Sequence, residues 1–73
     1  MSIYEFKTGA ELLAALLPPQ HIEIEGWSLN LDEHGVWLTN PYGIDCGLVP
    51  ATADGCQAAL DRIKGDTHER EWA

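Results

Sequence analysis

The sequence predicts an α+β domain in two layers, of element order α-β-β-β-α, with both helices packed on one face of a three-stranded antiparallel meander. Three observations predict it. Residues 8–17 carry leucines at helical spacing behind a capping box, residues 21–49 alternate with a period of two broken by two glycine-ended turns, and residues 52–65 return to helical spacing.

Thr8-Gly9-Ala10-Glu11 is the capping box: the threonine hydroxyl accepts the amide of Glu11, and that glutamate reaches back to the amide of Thr8. The helix it starts carries Leu12, Leu13, Leu16 and Leu17 on one face. It stops at Pro18-Pro19, because neither proline donates a backbone hydrogen bond. Ser2-Ile3-Tyr4-Glu5 offers a second, weaker capping box, which allows an earlier start with a break at Gly9.

From His21 the period is two. Ile22 and Ile24 alternate with Glu23 and Glu25; Trp27, Leu29 and Leu31 alternate with Ser28 and Asn30, and the parity shifts once at Gly26. One glycine is too short for a hairpin loop, so the reading is a single long strand, 21–31, with a bulge at Gly26. Asp32-Glu33-His34-Gly35 and Asn40-Pro41-Tyr42-Gly43 have the composition of type I turns, and they set off two further strands at 36–40 and 44–49. Thr52 caps the second helix, with Asp54 in its first turn. Cys56, Ala59, Leu60 and Ile63 form its apolar stripe, Arg62 and Lys64 sit at its negative end, and Gly65 ends it. The expected division is one compact domain over 1–65 and a flexible tail over 66–73.

The register of the first hairpin decides which way Trp37 points. If Leu29 and Leu31 share a face with Val36 and Leu38, the loop has four residues and Trp37 faces outward beside Asn30. A three-residue loop with Gly35 in a bulge places Trp37 beside Leu31 instead. Gathering aliphatic side chains on one face is worth about 1.5–3 kcal/mol per residue, which favours the first register. The outer face then carries Glu23, Glu25, Ser28, Asn30, Trp37, Thr39 and Asp45, while Trp27 joins the core.

Charge is the strongest functional signal. The chain has 73 residues and a formal net charge of -8, with no lysine or arginine between Lys7 and Arg62. Glu11, Glu23, Glu25, Asp32, Glu33, Asp45, Asp54 and Asp61, eight of the 12 carboxylates, fall in that interval. Such a field repels nucleic acid and anionic membranes and attracts basic protein surfaces. Double-stranded-RNA-binding domains share the α-β-β-β-α order, but they grip phosphates with lysines and arginines, which this chain lacks where they are needed.

Catalytic and metal-binding signals are weak. His21, His34, His68, Cys46 and Cys56 are potential ligands, yet none stands at close ligand spacing. Asp32, Glu33 and His34 adjoin one another in a turn that explains all three without acid-base chemistry. Neither cysteine has a histidine near it in sequence, and the surrounding charge disfavours thiolate. No glycine-rich phosphate cradle occurs. The expectation is a non-enzymatic protein without cofactor or metal. With no signal-like start, an apolar run no longer than Leu12 to Leu17 and two core cysteines, it is expected to be cytoplasmic and reduced.

The leading functional reading is a binding protein that occupies a basic, nucleic-acid-binding surface of another protein. Its expected contact residues are Glu23, Glu25, Asn30, Asp32, Glu33, Trp37 and Asp45. In size and charge the chain resembles the small acidic inhibitors that phages and other mobile elements encode against bacterial nucleic-acid immunity. The alternative is a structural or regulatory accessory domain, a homodimer for instance, whose acidity serves solubility.

Overall fold

The computed structural model describes residues 2–17 and 20–72, the side chains of 67–72 excepted. It shows an α+β domain with two α-helices and a four-stranded antiparallel sheet. A 3-10 turn, Ile3–Glu5, precedes α1 (Gly9–Leu16); the strands are β1 (His21–Ile24), β2 (Trp27–Asp32), β3 (Gly35–Thr39) and β4 (Asp45–Val49), and α2 spans Ala53–Trp72. The sheet order β1-β2-β3-β4 is a meander with one strand more than the sequence predicts.

The extra strand comes from Gly26. In place of a bulged strand over 21–31, Glu25 and Gly26 form a two-residue loop, and β1 folds back on β2 with Ile24 opposite Trp27 and Ile22 opposite Leu29. The type I′ form of such a loop has positive φ at both central residues. Gly26 takes 84° without strain, and Glu25 takes 51° although it is not glycine. Glu25 Oε1 accepts the amide of Ile3 at 3.1 Å, which ties this turn to the N-terminal segment. Glu25 therefore leaves the outer sheet face to which the sequence reading assigns it.

The other boundaries follow from local hydrogen bonds. Thr8 Oγ1 accepts the amide of Glu11 at 3.3 Å, and Glu11 Oε2 accepts the amide of Lys7 at 2.9 Å, one residue before the expected Thr8. The weaker box at Ser2 closes only a 3-10 turn, its hydroxyl accepting from Tyr4 N at 3.3 Å. In α1, Leu12 and Leu16 are buried and Leu13 is half-buried, but Leu17 is exposed. The helix stop assigned to Pro18-Pro19 lies outside the described residues. Thr52 caps α2 by accepting the amide of Gly55 at 3.0 Å. The helix does not end at Gly65 but continues to Trp72, because one glycine in a helix costs only about 1 kcal/mol.

One cluster forms the core. The alternate sheet residues Ile22, Ile24, Trp27, Leu29, Val36 and Leu38 pack with Ile3, Phe6, Leu12 and Leu16 and with Cys56, Ala59, Leu60 and Ile63 of α2. The helices meet closely where Gly9 lies against α2: its amide donates to Gln57 Oε1 at 2.9 Å, and a Cβ there would strike the Ala53 carbonyl oxygen and the Gln57 backbone. Among the described residues no helix is long and apolar enough to cross a membrane.

Candidate protein-binding face

The register of β2 and β3 is the one that aliphatic patterning favours. Leu29 stands opposite Leu38 and Leu31 opposite Val36, so Asn30 stands opposite Trp37. Asp32 and Gly35 also pair, leaving Glu33 and His34 as the loop proper. Trp37 is half-buried on the sheet face turned away from the core.

Two rows of side chains cross that face. The first runs His21, Asn30, Trp37, Leu48; the second runs Glu23, Ser28, Thr39, Asp45. Register holds across β3 and β4 as far as Leu38 opposite Gly47, then shifts so that Thr39 faces Asp45. The shift leaves Cys46 as the additional residue of β4, half-buried against the core. A bulge reverses side-chain parity, and it turns Leu48 outward at 43% exposure while Asp45 keeps the outer side.

Polar contacts fix much of the face. Trp37 Nε1 donates to Asp32 Oδ2 at 2.7 Å, and Asp32 Oδ1 accepts the amide of His34 at 2.7 Å. These donors hold the exposed Asp32 carboxyl below its usual range, the His34 amide having the larger effect. Asn30 Oδ1 lies 2.7 Å from His21 Nδ1, and Asn30 Nδ2 donates to Ser28 Oγ at 3.4 Å. Asp45 Oδ1 accepts the amide of Gly47 at 3.2 Å. Glu33 lies in the loop, its Oε1 3.5 Å from His34 Nε2.

Of the seven residues the sequence points to, Glu23, Asn30, Trp37 and Asp45 share the outer face; Asp32 and Glu33 stand at its β2–β3 end, and Glu25 lies apart in the β1–β2 turn. Sequence reasoning misses His21 and Leu48. His21 extends the outward alternation of Glu23, a signal the sequence does carry, whereas Leu48 depends on the Cys46 bulge.

On the core side, Trp27 forms a second aromatic arrangement. The residue is 2% exposed, its Nε1 donates to Asp66 Oδ2 at 3.0 Å, and the Arg62 guanidinium lies over the ring at 5.9 Å from the centroid. These groups border an open cavity of about 320 Å³, lined also by Asn40, Cys46, Asp61 and Gly65. Among the described residues, no three His, Cys, Asp or Glu side chains gather to hold a metal ion. No family model matches the chain, and no curated protein or solved structure matches it either.

Proposed function

We propose that this chain is a small acidic, non-enzymatic protein-binding domain of the cytoplasm, an inhibitor that covers a basic, nucleic-acid-binding surface of a partner protein. In this reading both helices pack on one face of the sheet, and the other face makes the contact. The observation that carries it is the half-buried Trp37, with exposed Leu48 beside it and Glu23, Asp32 and Asp45 around it, in a chain without lysine or arginine between Lys7 and Arg62.

An aromatic and aliphatic centre within a polar rim is the usual anatomy of a binding hot spot. Carboxylates at the rim steer a cationic partner and raise its on-rate, while the desolvated centre governs the off-rate. Phosphate sites on nucleic-acid-binding proteins accept carboxylates through the same arginine geometry. Phage-encoded and mobile-element inhibitors of host immunity would act in this manner.

The test begins with capture of a partner from the native host at low salt. The reading expects a basic protein whose binding to nucleic acid is lost when this chain is bound and restored with Trp37→Ala. A partner that holds nucleic acid undiminished in the complex contradicts it. Self-association through β4, which pairs with β3 alone in the sheet order and exposes Leu48, would appear instead as a concentration-dependent dimer in sedimentation.

A further inference from the structure

The molecule contains the same aromatic-carboxylate pair twice. In one, Trp27 Nε1 donates to Asp66 Oδ2 at 3.0 Å and the guanidinium of Arg62 lies over the indole. In the other, Trp37 Nε1 donates to Asp32 Oδ2 at 2.7 Å, on the opposite face of the sheet. Among the described residues no guanidinium of this chain stands over Trp37.

We infer that the Trp37–Asp32 pair is a receptor for one arginine side chain of the basic partner, whose guanidinium stacks on the indole and donates to the Asp32 carboxylate. The inference rests on the proposed reading that the outer sheet face meets a cationic protein. It adds the identity of the recognised group. A guanidinium is planar, weakly hydrated and able to stack and hydrogen-bond at once, whereas an ammonium is a compact, strongly hydrated point charge that gains less from an aromatic plane. Arg62 shows that in this chain an indole bonded to a carboxylate also takes a guanidinium over its ring.

The receptor is also pre-set. The indole N–H bond fixes ring and carboxylate relative to each other, and the His34 amide holds the other carboxylate oxygen at 2.7 Å. Little side-chain freedom remains to be lost on binding. Asn30 and Leu48 stand on either side of Trp37 across the strands, so an arriving side chain meets the ring between a polar and an aliphatic neighbour. Asp32 is exposed and accepts further donors without displacing the bonds it already makes.

The experiment is calorimetric titration of the intact protein with octa-arginine and with octa-lysine at one moderate ionic strength, alongside the indole N–H resonances. The expected result is octa-arginine binding about tenfold tighter than octa-lysine, with the largest shift at the Trp37 indole. Trp37→Leu and, independently, Asp32→Asn abolish that preference; the second change is at an exposed position and preserves the fold. Equal affinities for the two peptides, or a preference that survives both substitutions, overturn the arginine receptor and leave the basic-partner reading standing. Failure of both peptides to bind at low salt overturns the two together.

Discussion

The indole N–H of Trp37 and the carboxylate of Asp32 meet at 2.7 Å across the end of the first long hairpin, joining the aromatic centre of the outer sheet face to its acidic rim. Asp32 closes the β2–β3 turn through the His34 amide with its other oxygen, so one side chain serves the turn and the face together. Asparagine at this position would keep a turn acceptor but lose the charge.

Acid titration reads this bond directly. The His34 amide first, and the Trp37 indole with it, hold Asp32 below its ordinary value of 3.8. A carboxyl whose pKa is depressed in the folded state contributes stability above its unfolded pKa, and that contribution disappears as pH falls through the lower folded value. The Trp37 indole resonance is expected to titrate with a midpoint below 3.8, and Asp32→Asn to remove the titration. A midpoint at or above 3.8 in the wild-type protein would contradict the bond.

Two glycines give opposite expectations. At Gly9 a Cβ collides with the Ala53 carbonyl and the Gln57 backbone, and backbone cannot swing aside as a flexible side chain does. Alanine is the better helix former by about 0.5–1 kcal/mol, but overpacking costs about 1–3 kcal/mol, so Gly9→Ala lowers the urea midpoint. Gly65 has nothing within 4 Å of the added atom and sits inside α2, so Gly65→Ala raises stability by about 0.5–1 kcal/mol. Equal midpoint shifts in the same direction would refute the packing described for α1 and α2.

The cysteines differ in reach. Cys56 is fully buried, which pushes its thiol up, while Cys46 is half-buried with its thiol donating to the Ile44 carbonyl at 3.4 Å. Alkylation by iodoacetamide at mildly alkaline pH is expected to label Cys46 promptly and Cys56 only as the domain unfolds. Simultaneous labelling of both, followed by mass spectrometry of the peptides, would show that the core around Cys56 opens more readily than its packing implies.

Much of the fold is legible in the sequence because its signals are local and agree with one another. The Thr8 and Thr52 caps, the Asp32 and Asn40 turns and the aliphatic alternation each state one element, and together they place Asn30 beside Trp37. Three features are not legible for identifiable reasons. Glu25 adopts a positive φ that its residue type disfavours, which hides the β1–β2 loop behind what looks like a bulge. Gly65 carries the signature of a helix stop, and the helix runs through it. The bulge at Cys46 arises from pairing with β3, a non-local relation, and it alone brings Leu48 to the outer face. Of the expected site, the carboxylates of Glu23, Asp32 and Asp45 are within reach of strand parity; the position of Glu25 depends on the loop.

The decisive measurement is the affinity of the captured partner for this chain across a salt series, made with wild type and with Trp37→Ala. The account predicts a steep fall in affinity with rising salt, carried mainly by the on-rate, and a loss of about 30-fold in the variant, carried by the off-rate. An affinity that stays constant from low to high salt, or a Trp37→Ala variant that binds as wild type does, would contradict it.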